Sequence, residues 1–344
     1  MAARPPDPIY SLRGSVCDLT SIAFLNPSDR ESQLVASGAS DGQVTIWSLT
    51  SRRPVCGISA HEKSVLAVEF VARNKVISQG RDGYIKIWQL DGTDGGCRET
   101  SRMLNEIHVA AIGFCRFHYL KISGLADYAG RQALLAFAGE NKSLINVVAM
   151  ATDTFCVSSP VAELTTENAG NIGMCMAVCL IRLHGRLFVV GGFECGEILV
   201  WDLDAKDLTS RVKLHQEPLT CFCLDSTCTR GMSGAAETTC QIFEFKLNES
   251  KLISNCVQSV KLPVTSKAVS DIAIRSDDKI VAVGCWDGTI RVFGWKKVKL
   301  LAVLMYHSQG ISSVSFSKSC VSEQAMLLAA ASRDKRISIW SLYN

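Results

Sequence analysis

One short pattern returns along the whole chain, and it dictates the kind of fold available: an apolar run, a tight turn of the Asp-Gly type, and an alternating run that ends in an aromatic residue. Ser37-Gly-Ala-Ser-Asp-Gly-Gln-Val-Thr-Ile-Trp-Ser-Leu49 returns as Ser78-Gln-Gly-Arg-Asp-Gly-Tyr-Ile-Lys-Ile-Trp-Gln-Leu90. It returns again over 191–203, 283–293 and 330–340, with weaker copies over 138–148 and 233–243. An internal period has to be settled first, because it decides the architecture.

Aligned on the closing aromatic or its substitute, the seven copies fall at Trp47, Trp88, Val148, Trp201, Phe243, Phe293 and Trp340, at intervals of 41, 60, 53, 42, 50 and 47 residues. Each copy reads as a β-hairpin, with alternation on both sides of a turn whose Asp and Gly accept the required backbone angles. Another strand-like run lies upstream of most hairpins, at 64–70, 218–224, 269–274 and 311–316, and a further one follows, as at 300–304. Four short strands repeated with a terminal Trp are the signature of WD repeats, and seven copies predict an all-β chain folded as a single seven-bladed β-propeller. The seventh copy stops at Asn344, directly after its third strand. Residues 9–13 are strand-like, so they are expected to pair with the 336–340 strand, close the ring and cover an open edge. The domain reading is a short Pro-rich tail over 1–8 and a propeller over 9–344, with surface loops at 91–105, 123–131, 158–173 and 248–267, the last including a strand-like run at 256–262.

A length of 344 residues would by itself suggest two or three domains of about 100 to 200 residues, and the repeat overrides that expectation. The 36 Lys and Arg against 33 Asp and Glu leave a net charge of +3, without the basic excess of a nucleic-acid binder, so no direct nucleic-acid contact is expected. A hydrophobic share of 47% excludes a disordered chain. The opening Met-Ala-Ala-Arg-Pro-Pro-Asp-Pro lacks the apolar core of a secretory signal, and no apolar run approaches about 18 residues, so neither secretion nor a membrane partner is expected. In that setting the 15 scattered cysteines read as reduced, buried small hydrophobes.

Many WD repeats carry a buried hydrogen-bond chain that joins a His ahead of the first strand, a Ser or Thr on the second, the turn Asp and the Trp. Blade two has the full set, His61, Ser78, Asp82 and Trp88. Each of these polar groups needs a partner once buried, and the carboxylate satisfies several together. Ser, His and Asp also make a catalytic triad, but no strained Gly-x-Ser-x-Gly turn surrounds Ser78, so the set reads as a structural staple and no catalytic residue is assigned. Blade five keeps His215 and Ser233 with Glu237 and Phe243; blade one has Ser37, Asp41 and Trp47 without a His. Blade seven has His307, Asp334 and Trp340 but Ala330 in the hydroxyl position, so its chain is expected to be broken.

No metal or cofactor is expected. Cys-x-x-Cys pairs are absent, the six histidines are scattered, Cys115 and His118 lack a second pair, and the glycine-rich stretches 91–96 and 191–196 have no Gly-Lys-Ser/Thr. Surface is what remains for function. The residue before the turn Asp is expected to face solvent at one end of the ring: Ser40, Arg81, Glu194, Ala236, Trp286 and Arg333, with Lys142 at the Asp position itself in blade three. Of these, Arg81, Trp286 and Arg333 are the candidate partner-binding residues, because Trp and Arg dominate interface energetics. The alternative for Trp286 is that it covers a neighbouring blade. Lys296-Lys-Val-Lys299 reads as a solvated loop, with nuclear import or an acidic partner as the other reading.

Several motifs go beyond a generic repeat: Pro5-Pro-Asp-Pro followed by Leu12-Arg-Gly14, Ser78-Gln-Gly-Arg-Asp82, Gly173-Met-Cys-Met-Ala-Val178, Trp286-Asp with Ile290-Arg-Val-Phe293, Leu301-Ala-Val-Leu304 before His307, and Arg336-Ile-Ser-Ile-Trp-Ser-Leu-Tyr343. Together they resemble the guanine nucleotide-binding protein subunit beta-like protein 1 family, related to the fungal ASTRA-associated protein 1, over nearly the whole chain. Departures fall at Gly288-Thr289, where relatives tend to carry His-Arg, and in the loops around 91–105 and 246–262. A heterotrimeric G-protein β subunit has a long N-terminal helix for its γ partner; only 1–8, with three prolines, precede the first strand here, so no γ subunit is expected as partner. The resemblance implies instead a nuclear and cytoplasmic scaffold, monomeric within a hetero-complex. Its partners would be subunits of the co-chaperone complex that matures phosphatidylinositol 3-kinase-related kinases, part of a chromatin-associated assembly in fungi. Two rivals stand against this scaffold. A cullin-RING ubiquitin-ligase receptor often shows Trp-Asp-x-Arg, whereas the ends here are Trp47-Ser-Leu-Thr, Trp88-Gln-Leu-Asp, Trp201-Asp-Leu-Asp and Trp340-Ser-Leu-Tyr. A propeller enzyme needs converging carboxylates or histidines on its inner strands, and 65–68, 178–181 and 272–274 show none.

Overall fold

Each repeat folds into strands because its apolar residues alternate with polar ones between turns that Asp and Gly accommodate. The computed structural model describes residues 6–25, 34–91, 100–109, 113–122, 133–140, 143–151, 154–165, 170–248, 251–263, 265, 268–318 and 326–343, and its elements are all β-strands. After β1 (Tyr10–Arg13), blade one comprises β2 (Leu19–Phe24), β3 (Leu34–Ala39), β4 (Gln43–Ser48) and β5 (Arg53–Ser59). Blade two comprises β6 (Val65–Ala72), β7 (Lys75–Gly80), β8 (Tyr84–Asp91) and β9 (Thr100–His108). Blade three comprises β10 (His118–Lys121), β11 (Ala133–Ala138), β12 (Ile145–Met150) and β13 (Val157–Leu164). Blade four comprises β14 (Cys175–Leu183), β15 (Arg186–Phe193), β16 (Glu197–Asp202) and β17 (Leu208–Lys213); blade five comprises β18 (Leu219–Leu224), β19 (Arg230–Ala235), β20 (Thr239–Asn248) and β21 (Lys251–Lys261). Blade six comprises β22 (Val269–Ile274), β23 (Ile280–Cys285), β24 (Thr289–Gly294) and β25 (Lys299–Met305); blade seven has β26 (Ile311–Phe316), β27 (Leu327–Ser332) and β28 (Arg336–Ser341).

The strands form seven four-stranded antiparallel sheets, a seven-bladed β-propeller. Six sheets follow chain order, and the seventh, β1-β28-β27-β26, takes its outer strand from the other end of the chain. The expected pairing is present: Tyr10 lies opposite Ile339 and Arg13 opposite Arg336, while Ile9 stays outside the strand and donates its N–H to Ile339 at 2.8 Å. Leu12 points into the apolar layer formed with Ile337 and Ile339.

Packing divides the chain into two compact units. The first, 1–82, 86–103 and 262–344, holds blades one, six and seven and most of blade two; the second, 83–85 and 104–261, holds blades three, four and five. In both units the second strand of a blade is covered on both faces, as in β3, β11 and β23, which are buried along their whole length. Apolar layers between successive blades therefore make up the core: blades one and two in the first unit, blades three and four in the second. Glycine permits the approach. A Cβ on Gly38 would lie 2.4 Å from Val65 Cγ1, and one on Gly284 would lie 2.7 Å from Ile311 Cγ2, so the residue that opens the next blade occupies the missing side chain's place.

Two of the segments expected as loops contain outer strands instead, β9 partly within 91–105 and β13 partly within 158–173, while the strand-like run at 256–262 belongs to a longer strand, β21. An outer strand buries little, as the largely exposed β21 shows, so its alternation is faint in sequence. Residues 92–99, 123–132 and Lys142 lie outside the described residues. No described helix is long and apolar enough to cross a membrane.

Candidate functional site

Two constellations stand out, a buried staple inside the blades and a row of residues on the turns. In blade two the Trp88 indole N–H donates to Ser78 Oγ at 2.9 Å, and Ser78 Oγ meets His61 Nε2 at 2.8 Å. His61 Nδ1 lies 3.0 Å from both carboxylate oxygens of Asp82, which also accepts the N–H of Glu62 at 3.2 Å. One proton arrangement satisfies every atom: a neutral His61 donates from Nδ1 to Asp82 and accepts the Ser78 hydroxyl proton on Nε2. Burial pushes the His61 pKa down and Asp82 offsets only part of this, which keeps the ring neutral. The order Ser, His, Asp is that of a catalytic triad. Yet the His61 and Asp82 side chains are 0% and 6% exposed, Ser78 is fully buried, and its oxygen already accepts the indole proton, so the group fastens a turn to the loop ahead of it.

Backbone geometry delivers the histidine. The carbonyl of Gly42, in the turn of blade one, accepts the N–H of Ala60 at 3.2 Å and of His61 at 3.0 Å. Gly42 has φ +85°, and a Cβ there would lie 1.9 Å from the His61 carbonyl oxygen, so no other residue fits. Gly196 does the same in the second unit, taking the N–H groups of Leu214 and His215 at 3.0 Å each.

The staple varies between blades. In blade five, His215 joins Ser233 at 2.8 Å and Glu237 at 2.5 Å, and with Phe243 in the indole position Ser233 turns its hydroxyl to the Gln241 carbonyl at 3.4 Å. Blade seven corrects the sequence reading: its chain is complete despite Ala330. Ser338, directly across the ladder from Ala330 on β28, takes the Trp340 indole N–H at 2.8 Å and meets His307 Nε2 at 2.7 Å, while His307 Nδ1 meets Asp334 at 3.0 Å. Hydroxyls on paired positions of neighbouring strands share one face, so the oxygen moved across the ladder without leaving the site. The available signal was Ser338 itself, two residues before the Trp. In blade six the turn Asp287 is held by the buried guanidinium of Arg291, 3.0 Å away, and by Thr289. Burial opposes ionisation there, but hydrogen bonds from Arg291 and Thr289 hold the Asp287 carboxyl below the usual range.

Cys115 and His118, set aside in the sequence for lack of a second pair, have different sulfur and nitrogen neighbours. Cys115 Sγ lies 3.7 Å from Cys175 Sγ, whereas His118 accepts the Leu180 N–H on Nδ1 at 3.2 Å and lies 3.6 Å from Cys179 Sγ. Among the described residues no three His, Cys, Asp or Glu side chains gather as a metal site, and no described cysteine forms a disulfide.

The turn residues share a backbone setting. The N–H of Arg81 donates to the Ser64 carbonyl at 2.9 Å, that of Trp286 to Ala268 at 3.1 Å, and that of Arg333 to Gly310 at 3.1 Å; Ser40, Glu194 and Ala236 repeat the bond. This clip fixes the backbone of each position. Arg81 and Arg333 are exposed and Trp286 is 48% exposed, so about half of the Trp286 surface is open to solvent.

Four-stranded blades, glycine-clipped turns and His-Ser-Asp-Trp staples define the class: the chain is a seven-bladed β-propeller with WD40 repeats. It matches the family described as WD domain, G-beta repeat, at residues 6–48, 52–89, 254–294 and 298–341. Its homologues are more particular than the class. A mouse protein named guanine nucleotide-binding protein subunit beta-like protein 1 is 29% identical over 344 residues, covering 98% of this chain and 97% of its own. ASTRA-associated protein 1 of Schizosaccharomyces pombe is 26% identical, covering 98% of this chain and 99% of its own, and that of Verticillium alfalfae is 23% identical, covering 98% and 93%.

Proposed function

We propose that the protein is a non-enzymatic scaffold of the co-chaperone assembly that matures phosphatidylinositol 3-kinase-related kinases, acting in nucleus and cytoplasm as one propeller within a hetero-complex related to the chromatin-associated ASTRA assembly. The observation that carries this reading is the end-to-end similarity to proteins whose name states an association with ASTRA. The chemistry of the chain agrees with a binding role: its Ser-His-Asp groups are consumed by blade closure, and the exposed Trp and Arg sit on turns whose backbone is already fixed. Binding through preset aromatic and guanidinium groups loses little conformational entropy. Arg81, Trp286 and Arg333 are the contact residues in this reading.

The test is purification of the tagged protein from its own cells with quantitative mass spectrometry, beside an Arg81→Ala, Trp286→Ala, Arg333→Ala variant of unchanged melting temperature. Co-chaperone subunits and large kinases that accompany the parent and are lost from the variant support the role and the rim. Enrichment of cullin adaptors, or of a G-protein γ subunit, in their place overturns it.

A further inference from the structure

The outer flank of blade six differs from that of the other blades. β25 is the outermost strand of its sheet. Its ladder slips where Val292 faces Ala302 and Phe293 faces Leu300, which leaves Leu301 as an inserted residue. A bulge of this kind breaks the strict alternation of a strand. It recurs at Pro54-Val55 in blade one, Pro160-Val161 in blade three, Leu208-Thr209 in blade four and Cys256-Val257 in blade five. Blade six alone among these five places two leucines there, and both are exposed, Leu300 at 46% and Leu301 at 42%.

A third apolar group is held beside them. The Tyr343 hydroxyl donates to the Leu301 carbonyl at 3.2 Å, and the ring is half exposed. Arg275, fully buried, fixes this tail: its Nη1 donates to the Leu342 carbonyl at 2.7 Å and its Nη2 to the Tyr343 carbonyl at 3.2 Å, while Asp277 grips the guanidinium at 2.9 Å. Tyr343 has φ +49°, a left-handed conformation that costs a tyrosine energy and is retained here by those bonds.

The surrounding charge is paired on one side and unpaired on the other. In the turn after β22, Arg275 and Lys279 balance Asp277 and Asp278, whereas Lys296, Lys297 and Lys299, all exposed, make no ion pair among the described residues. Three unpaired cations therefore border a fixed patch of two leucines and a tyrosine.

We propose that Leu300, Leu301 and Tyr343 are a second docking surface, on the flank of blade six, for an acidic protein segment with apolar side chains, whose carboxylates meet Lys296, Lys297 and Lys299. A lipid surface fits poorly, because these side chains lie along a strand rather than at the tip of a loop that reaches the acyl boundary. Fixed apolar groups ringed by complementary charge are what a short acidic peptide needs to bind with specificity and a fast on-rate. The surface is separate from Arg81, Trp286 and Arg333, so the two readings fail independently.

The probe is a fluorescein-labelled peptide repeating Asp-Phe-Glu-Leu, titrated with the full chain and read by fluorescence anisotropy. Saturable, salt-sensitive binding is expected. It should weaken about tenfold or more in Leu300→Ser with Leu301→Ser and, separately, in Lys296→Glu with Lys297→Glu and Lys299→Glu, and stay unchanged in Trp286→Ala. The lysine variant keeps the test decisive if the leucine variant misfolds. The proposal is overturned by no binding of the probe, by equal affinity for a peptide repeating Asp-Ser-Glu-Ser, by flank variants that bind as the parent does, or by loss of binding in Trp286→Ala. Flank-dependent capture by phosphatidylserine vesicles, or flank-dependent self-association in sedimentation, overturns it in favour of a membrane or a second copy.

Discussion

The two compact units are built from the same blade, but the WD40 family model recognises it almost entirely in the first. WD40 matches cover β1 to β7, most of β8 and most of β21 to β28, and leave β9 to β20 unmatched, which takes in blades three and four and three strands of blade five. Burial does not follow that division: β11 in unmatched blade three is as completely enclosed as β3 and β23. The two units differ in the staple. Blades two and seven of the first unit carry His, hydroxyl, Asp and Trp in full, whereas blade five keeps the His and Ser with a Phe, and blade four answers its Glu194 only with the Met174 N–H at 3.2 Å. Interblade packing is thus enough to form a blade, and the staple is an added restraint that fastens each turn to the loop before it.

The comparison breaks most readily at β1, on which the first unit depends for the outer edge of blade seven. Deleting residues 1–13 removes buried Leu12 and four ladder positions and exposes the β28 edge. The melting temperature should fall by roughly 10 °C, with aggregation on heating. A variant that melts with the parent in calorimetry would show that β1 is dispensable.

The staples themselves give the next effect in size, and it should differ between units. His61→Ala strands Ser78 and a carboxylate only 6% exposed, at a cost of about 2–3 kcal/mol. His215→Ala strands Glu237, which is 22% exposed and regains water, so about 1 kcal/mol is expected. Urea titration separates the two, and equal losses would mean that burial of the acid does not set the cost.

Stability should also respond to pH in two opposed ways. His61, His215 and His307 are pushed below the ordinary imidazole range by burial, with Asp82, Glu237 and Asp334 offsetting part of it. The unfolded state binds their protons first, so their contribution is complete above about pH 6.5 and is lost as the pH falls through that value. Glu69, on β6, runs the other way. Burial raises its carboxyl to about 7 against a slight lowering by Lys318, so the folded state keeps a proton that the unfolded state releases, and that contribution is lost as the pH rises through 7. Glu69→Gln should therefore raise the urea midpoint at pH 8, with the gain shrinking toward pH 4.5. A gain that is constant with pH would assign the effect to packing.

Blade number and the blade-two staple were legible because turn chemistry and period speak directly within each repeat, and the closing strand because 9–13 read as a strand ahead of the first repeat. Val148 could stand for a Trp in the alignment because the alternation around it survived. Ser338 was missed because its role depends on strand register, which places it opposite Ala330 rather than beside it in sequence. Arg275 was missed for a related reason: a charged side chain reads as surface until the fold delivers the carbonyls of Leu342 and Tyr343, 67 and 68 residues away. The outer strands β9 and β13 escaped because half-exposed residues carry little periodic signal.

The smallest expected effect tests the turns. Gly42, Gly83, Gly196 and Gly288 follow the turn acid or its substitute with φ between +82° and +89°, whereas blade seven places Lys335 there at +66°. Two constraints select glycine at Gly42: the angle, and the His61 carbonyl oxygen 1.9 Å from where a Cβ would lie. Lys335 carries its Cβ, so only the angle applies at that position. Lys335→Gly should relieve that strain and add about 0.5–1 kcal/mol, after allowing for the greater freedom of glycine in the unfolded chain. The reverse change, Gly42→Ala, should lose considerably more, because the clash adds to the strain. If Lys335→Gly leaves the denaturation midpoint unmoved, the lysine side chain is making a contact worth as much as the strain it carries, and the turn of blade seven is not the relaxed end of the series.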